Sequence, residues 1–394
     1  MRWIGLLLLS VCFHMTYVIR LSAGILREPL AAEFALTASS FGMMSSMVFY
    51  AYTLLQIPSG LLADTRGVRS TVAGGMALAG AGSLLFASAQ SLPVLFLGRV
   101  FMGVGVAGIF VCVMKFIAGN FGEDRFATLS GVTSFIGNAG GIAAQAPLAL
   151  LVGALAWRGA FLLLGAVCLA LAVLCFFILP AGRRSPVSVS DLKKGVRAIL
   201  RLRGMYFTGL SYLANQSCFL ALSGTWGVSY LRAVHGMEAA AAHMTLMVVG
   251  IMAGAVAAGR ISDRMRSRRR PLCLFAAAHA LCWGILLLSG RALPLPVLSG
   301  TLFSLGFFAG ALVLPWSMAK EMNPPQFTAV AIALLNTAAF LAVAVLTSMM
   351  GVALDAAAGL SVDAAWRVSL LLPFAVSVAG LGGALASPET FPER

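Results

Sequence analysis

Charge is what this sequence has least of. Asp, Glu, Lys and Arg together make up 10% of its 394 residues, where a soluble domain carries about 25%. The length alone would allow two soluble domains, but so little charge excludes them. Apolar residues reach 60% and the mean hydropathy is +0.96. Apolar runs of about 20 residues, each able to cross a ~30 Å hydrocarbon core, recur along the chain. The class is therefore a polytopic, all-α membrane protein.

Acids are the scarcer sign, 13 against 27 Lys and Arg. None of Glu28, Glu33, Asp64, Glu123, Asp124, Asp191, Glu238, Asp263, Glu321, Asp355, Asp363, Glu389 and Glu393 falls in the middle of an apolar run. A carboxylate proton relay thus lacks a carrier, and a bare organic cation lacks a counter-ion. No Walker A pattern occurs, which removes an ATP-driven reading. The seven cysteines (Cys12, Cys112, Cys168, Cys175, Cys218, Cys273 and Cys282) all lie in apolar segments without metal-ligand spacing. They read as small packing residues, so neither a metal nor a cofactor is expected. Two apparent motifs are set aside. Gly103-Val-Gly105-Val-Ala-Gly108 matches a dinucleotide fingerprint but has no preceding strand, and small residues there let helices approach. The sequon at Asn215 lies inside a span.

Twelve spans are expected, over about 3–26, 41–62, 70–89, 92–117, 126–151, 157–179, 206–231, 239–259, 271–290, 293–319, 326–354 and 366–386. The first reads as an uncleaved helix: it is longer than a signal peptide's apolar region and holds His14, Tyr17 and Arg20. The organisation is an N-terminal six-helix bundle (1–180), a basic linker (181–205) and a C-terminal six-helix bundle (206–394). The linker sets Arg183, Arg184, Lys193, Lys194, Arg197, Arg201 and Arg203 against a single acid, Asp191. With a cytoplasmic N-terminus, 20 basic residues fall on the inner side and five (Arg27, Arg158, Arg232, Arg291, Arg367) on the outer, so both termini are expected in the cytoplasm. This crowding into loops points to a plasma (inner) membrane protein rather than to a nucleic-acid partner. The expected partners are a small-molecule substrate and the lipid bilayer, with the protein acting as a monomer.

The two halves echo one another. Gly60-Leu-Leu-Ala-Asp64-Thr-Arg66-Gly67-Val-Arg69 returns as Gly259-Arg260-Ile-Ser-Asp263-Arg264-Met-Arg266-Ser-Arg268, with the two aspartates 199 residues apart. Ala156-Trp157-Arg158 returns as Ala365-Trp366-Arg367. Glu123 precedes Asn138 by 15 residues, and Glu321 precedes Asn336 by the same 15. Internal repeats of this kind build many carriers. The repeated hinge is read as a conformational latch, with Asp64 favoured near a helix N-terminus and Arg66 and Arg69 tying neighbouring helices. Plain topology, with basic loop residues only fixing orientation, is the competing reading.

Ionisable residues inside spans are costly and so are functional candidates. Arg20 and Arg99 lie at similar depth, and His14, Tyr17, Arg20 and Gly24 share one arc of ~120° on a helical wheel. Snorkelling competes for Arg20, and a plain interhelical hydrogen bond competes for His14. Lys115 reads as an interface anchor. Ser134, Asn138, Gly141 and Gln145 align on the fifth span; Tyr212, Asn215, Gln216, Phe219, Ser223 and Trp226 align on the seventh; Asn336 stands alone in the eleventh. Arginine without an acid prefers an anion. The expected substrate set is Arg20 with Tyr17, His14, Arg99, Asn138, Tyr212, Asn215, Gln216 and Asn336. His14, of the one residue type that titrates near neutrality, is the only plausible proton coupler.

On these residues the chain resembles the major facilitator superfamily. The Gly60–Arg69 hinge is similar to that superfamily's signature loop, with Thr65 departing where a basic residue is usual, and Arg99-Val-Phe-Met-Gly103 to its fourth-helix motif. The fifth helix departs from the antiporter glycine-proline motif, because Pro147 is displaced. Tyr17-Val-Ile-Arg20-Leu-Ser22, Tyr50, Gln56-Ile-Pro58-Ser-Gly60, Lys115-Phe116, Trp157-Arg158 with Phe161, and Glu321 through Asn336 resemble the anion:cation symporter branch. Ile19 and Val106 replace acids found there. The resemblance implies two pseudo-symmetric six-helix bundles and alternating-access transport, not an enzyme. An efflux pump for amphipathic compounds and a non-transporting sensor or assembly factor remain the alternatives.

Overall fold

The computed structural model describes residues 2–180, 195–324 and 327–392. Most of the expected linker, including Arg183, Arg184, Asp191, Lys193 and Lys194, lies outside these residues, as does Glu393. Every regular element among the described residues is a helix. The first half contains α1 (Arg2–Leu21), α2 (Arg27–Phe34), α3 (Ala38–Thr65), α4 (Val68–Ala87), α5 (Leu92–Val106), α6 (Ile109–Asn120), α7 (Glu123–Ala143) and α8 (Ala146–Ile178). The second contains α9 (Arg203–Ala221), α10 (Gly227–His235), α11 (Ala240–Met265), α12 (Arg269–Ser289), α13 (Leu295–Ala309), α14 (Val313–Met322), α15 (Thr328–Ala356) and α16 (Val362–Ala386).

Among the described residues nine helical segments are long and apolar enough to cross a membrane, and α3, bent by 53° between Gln56 and Pro58, makes a tenth. Pro58 has no N–H to give the preceding turn, which accounts for the bend. Helices α7 and α9 complete the twelve. These two carry the long polar faces, so apolarity alone does not select them. The protein is thus an all-α membrane protein.

The duplication is visible in the backbone. The first span changes pitch after Leu21 into a 3-10 turn, Ser22–Ile25, and the seventh changes after Ala221 into a π turn, Leu222–Trp226. The fourth span breaks between α5 and α6, and the tenth breaks through the 3-10 turn Gly310–Leu312. Gly67 has φ 85° and its counterpart Arg266 has φ 46°.

Two boundaries differ from expectation. The fifth span is not continuous: α7 ends at Ala143 and α8 restarts at Ala146, because Pro147 removes a backbone donor there. The helix then runs on to a single residue, Ala156 (φ 55°, ψ 170°), that turns the chain into the sixth span at Trp157. The seventh span is longer than expected, running from Arg203 to His235, with the π turn Leu222–Trp226 inside it.

The helices cluster into two compact units. One holds residues up to Ala35 and from Met44 through α8; the other holds Leu36–Met43 and the helices from α9 onward. In the first unit a Cβ on Gly105 would stand 2.4 Å from the Gly75 carbonyl oxygen, and one on Gly103 would stand 2.5 Å from that of Val48. The apparent dinucleotide fingerprint is therefore a packing seam of α5 against α3 and α4. In the second unit the first turn of α3 is held by Asp355, whose carboxylate accepts from the Ala38 N–H (2.9 Å) and the Ser39 N–H (2.8 Å). Phe41 packs on Trp226 there, ring centroids 5.7 Å apart.

Candidate functional site

The first unit's site begins at the end of α1. Arg20 is buried, with 4% of its surface exposed. Its guanidinium carbon lies 4.1 Å from the ring centre of Tyr52 on α3 and 5.5 Å from that of Tyr17, one turn back on α1. Aromatic faces carry negative potential, so this cradle favours the cation. Tyr52 escaped the sequence reading, which singled out Tyr50 two positions earlier. Its signal was helical spacing from the buried Phe41, Val48 and Phe49 on α3.

Arg99 is fully buried. It donates to the Ile19 carbonyl (3.3 Å), to Ser22 Oγ (3.2 Å) and to the Ser45 carbonyl (3.5 Å). The 3-10 turn after Leu21 leaves carbonyls at the end of α1 without intrahelical partners. A cation there is also favoured by the helix dipole. Arg99 thus staples α5 to α1 and α3, next to the segment that carries Arg20. His14 Nδ1 donates to the Ile136 carbonyl on α7 at 3.0 Å. Asn138, two residues further along α7, donates to the Ser134 carbonyl of its own helix at 2.8 Å. The close α1–α7 contact depends on Gly140, where a Cβ would stand 2.2 Å from the His14 carbonyl oxygen.

The second unit holds a neutral polar cluster. Tyr212 on α9 donates to Asn336 Oδ1 on α15 at 2.5 Å, and both are buried. The Trp316 ring of α14 lies 6.0 Å from that of Tyr212. Trp316 Nε1, Asn215 Nδ2 and Gln216 Oε1 are buried with no protein hydrogen-bond partner. Each such group costs about 1–3 kcal/mol when left unmet, and Asn215 and Gln216 lie within about one turn of Tyr212 on α9. Asn215 and Gln216 were expected there. Trp316 was not, because an indole in an apolar span is indistinguishable by sequence from a packing residue.

The hinges resolve into two ion-pair clusters of different make. In the first, Asp64 pairs with Lys115 of α6, whose Nζ also donates to the Ala63 carbonyl at 2.8 Å. Lys115 is therefore the aspartate's partner and not merely an interface anchor. Asp64 stands in the last turn of α3, where its own helix dipole opposes it and the lysine offsets both. Arg69 does not reach Asp64; it lies 4.3 Å from the ring centre of Phe176 on α8. Arg66 is exposed, and Gly60 and Gly259 face open space. In the second hinge Arg268 takes both roles, donating to Asp263 at 2.9 Å and to Glu321 of α14 at 3.0 Å, while Arg264 is exposed.

The repeated Ala-Trp-Arg strings end in different partners too. Trp157 donates to Glu33 at 2.9 Å, and Arg158 pairs with the same carboxylate and donates to the Ala87 carbonyl at 2.6 Å. Trp366 instead packs among Trp226 and Tyr230, and Arg367 pairs with Asp363 at 3.1 Å.

The likeness to known proteins follows this architecture. A bacterial homologue of the human lysosomal transporter Spinster superposes with TM-score 0.78 at 15% identity, over 98% of this chain and 96% of that one. A probable sulfoacetate transporter of Cupriavidus necator is 24% identical over 289 residues, which are 68% of this chain and 67% of that protein. An efflux pump of Mycolicibacterium smegmatis is 25% identical over 279 residues, 68% of this chain and 63% of the pump. A probable L-galactonate transporter of Escherichia coli is 24% identical over 259 residues, 59% and 55% of the two chains. The aligned stretches thus span about two thirds or less of these relatives. The profile of the Major Facilitator Superfamily matches residues 6–347. With its twelve spans, paired hinges and duplicated breaks, the chain belongs to the Major Facilitator Superfamily.

Proposed function

We propose that this protein is a secondary transporter of a small organic anion, working by alternating access. The observation that carries the reading is the buried Arg20 guanidinium between Tyr17 and Tyr52, in a chain with no acid in the middle of a span. A desolvated arginine with aromatic walls is a strong receptor for carboxylate, sulfonate or phosphate oxygens. Relatives named for sulfoacetate and L-galactonate support the same class.

In this reading Arg20 is the principal anion contact and Arg99 positions its segment. Tyr17, Asn138, Tyr212, Asn215, Gln216 and Asn336 orient the substrate, and Trp316 adds an N–H donor. His14 is the candidate proton coupler, and exchange without protons is the alternative. Gly60, Asp64, Arg66, Gly67 and Arg69, with Gly259, Asp263, Arg264 and Arg268, form the latch. The proposed organisation is a six-helix bundle over 1–180, a linker over 181–205 and a second bundle over 206–394. We read the carrier as a monomer of the inner membrane; the bias of Lys and Arg supports both termini in the cytoplasm.

The test is uptake of labelled sulfoacetate and galactonate into proteoliposomes by the native protein and by Arg20→Gln and Arg20→Lys. A charge-assisted hydrogen bond contributes about 1.5–3 kcal/mol, so Arg20→Gln should lower uptake at limiting substrate by roughly 10- to 100-fold. Arg20→Lys keeps the charge but not the planar fork and should fall between. Unchanged uptake, with altered tolerance of cells to amphipathic drugs, would overturn the anion reading in favour of the efflux reading, which the mycobacterial relative represents.

A further inference from the structure

The chain after α16 does not trail away from the second hinge. Ser387 ends the helix, donating to the Gly383 carbonyl at 2.8 Å and accepting from Thr208 at 3.3 Å, and Pro388 prevents its continuation. Glu389 then turns onto the start of α12. Its Oε1 accepts from the Arg268 N–H at 2.7 Å; its Oε2 accepts from Ser267 Oγ and from the Arg269 N–H at 3.4 Å. A carboxylate on the first N–H groups of a helix meets donors that have no intrahelical partner. Thr390 Oγ1 donates to Glu321 Oε2 at 2.6 Å, and the Phe391 ring lies 4.7 Å from the Arg268 guanidinium carbon.

These contacts fix both members of one ion pair. Arg268 is held through its backbone by Glu389 and over its face by Phe391, and Glu321 is held through its second oxygen by Thr390. Its first oxygen is left to accept from Arg268 Nε at 3.0 Å. Arg268 Nη1 donates to Asp263 and Ser262, each at 2.9 Å. Arg268 and Glu321 are each only 15% exposed. In the first unit the pair Asp64–Lys115 is 26% and 28% exposed, and Arg69 rests on Phe176. The two hinges therefore share a sequence pattern but not a supporting shell.

We infer that Ser387–Phe391 is a strap that positions the second latch, with Glu389, Thr390 and Phe391 holding Arg268 and Glu321 so that the arginine bridges α11, α12 and α14. A long, flexible arginine bridging two acids loses much of the pair's worth to side-chain entropy unless something else fixes it. The strap supplies that fixing, and it makes the C-terminal residues part of the transport machinery rather than an inert tail. The inference rests on the latch role of the second hinge.

The strap itself can be tested without a solute. The coupling between Arg268→Gln and Glu321→Gln is read by a double-mutant cycle on thermal unfolding of the purified protein, first with the native strap and then with Glu389→Gln or Thr390→Val added. Hydrogen exchange of residues 267–272 is followed in parallel. Either strap variant should weaken the coupling at least threefold, and Glu389→Gln should speed exchange about tenfold at the start of α12. Unaltered coupling in both variants would overturn the strap. Sulfoacetate uptake on the same variants separates the two layers. A lowered maximal rate at unchanged KM is expected, whereas lost coupling with unaltered uptake would overturn the strap's service to transport. If the native protein carries neither sulfoacetate nor galactonate, the anion reading fails while the coupling result still decides the strap.

Discussion

At the scale of single residues, the two hinges solve one backbone problem with different side chains. Gly67 sits at φ 85° and ψ 164°, a region open to glycine and closed to residues with a Cβ. Its counterpart Arg266 sits at φ 46° and ψ 46°, the left-handed helical region, which an L-residue enters at a cost of about 1–2 kcal/mol. The same position in the repeat thus demands positive φ, but only the first copy uses the residue that tolerates it freely. Opposite outcomes are expected on substitution. Gly67→Ala should destabilise by about 1–3 kcal/mol. Arg266→Gly should stabilise by on the order of 0.5 kcal/mol, the relieved strain less the extra chain entropy of glycine. Thermal unfolding in detergent checks both, and a stabilised Gly67→Ala would mean that the first hinge does not hold this turn.

At the scale of elements, helix approach is governed by where glycine faces another backbone. Gly140 and Gly131 lie on the same helix, α7. A Cβ on Gly140 would fall 2.2 Å from the His14 carbonyl oxygen, while one on Gly131 would meet nothing within 4 Å. Gly140→Ala must push α7 from α1, stretching the His14–Ile136 hydrogen bond, and overpacking of this kind costs about 1–3 kcal/mol. Gly131→Ala should be neutral or stabilising by up to about 1 kcal/mol, because it only reduces backbone entropy. Melting temperatures of the two variants should therefore move apart; equal shifts would show that the seam is not set by Gly140. The same elements show what the sequence could and could not reveal. Span number and the duplication were legible because apolar length and repeated Gly-Asp-Arg spacing are properties of the chain itself. The break at Ala144–Gln145, the turn at Ala156 and the π turn at Leu222–Trp226 were not, since hydropathy measures length and carries no dihedral angle. The burial of Arg20 was legible from the cost of a charge in a span. Its Tyr52 cradle, the Asp64–Lys115 pair and the unpartnered Trp316 N–H depend on how helices are rotated against one another, which one sequence does not state.

At the scale of the whole molecule, a chain of net charge +14 relies on few carboxylates outside the spans, and two of them are held charged. Burial by itself would raise the Glu33 carboxyl, but hydrogen bonds from Arg158 and Trp157 and the arginine's charge outweigh it and hold the group below its ordinary value. Glu389 behaves alike: burial acts to raise it, while Ser267 and the N–H groups of Arg268, Phe391 and Thr390 together bring it down. The unfolded chain binds these protons more readily than the folded one, so stability falls as pH falls. Each contribution is complete above the unfolded carboxyl value near about 4.3. It is lost as pH drops through the lower folded value. Thermal stability should accordingly be flat with respect to these groups from neutrality to about pH 5 and should decline below about pH 4. Glu33→Gln and Glu389→Gln should each lower stability at neutral pH and flatten part of that acid decline, since the group that must protonate has been removed. The two sites belong to different units, so their effects should add. A double variant that keeps the native acid profile would show that the decline originates in other carboxylates and that neither group carries the linkage assigned to it.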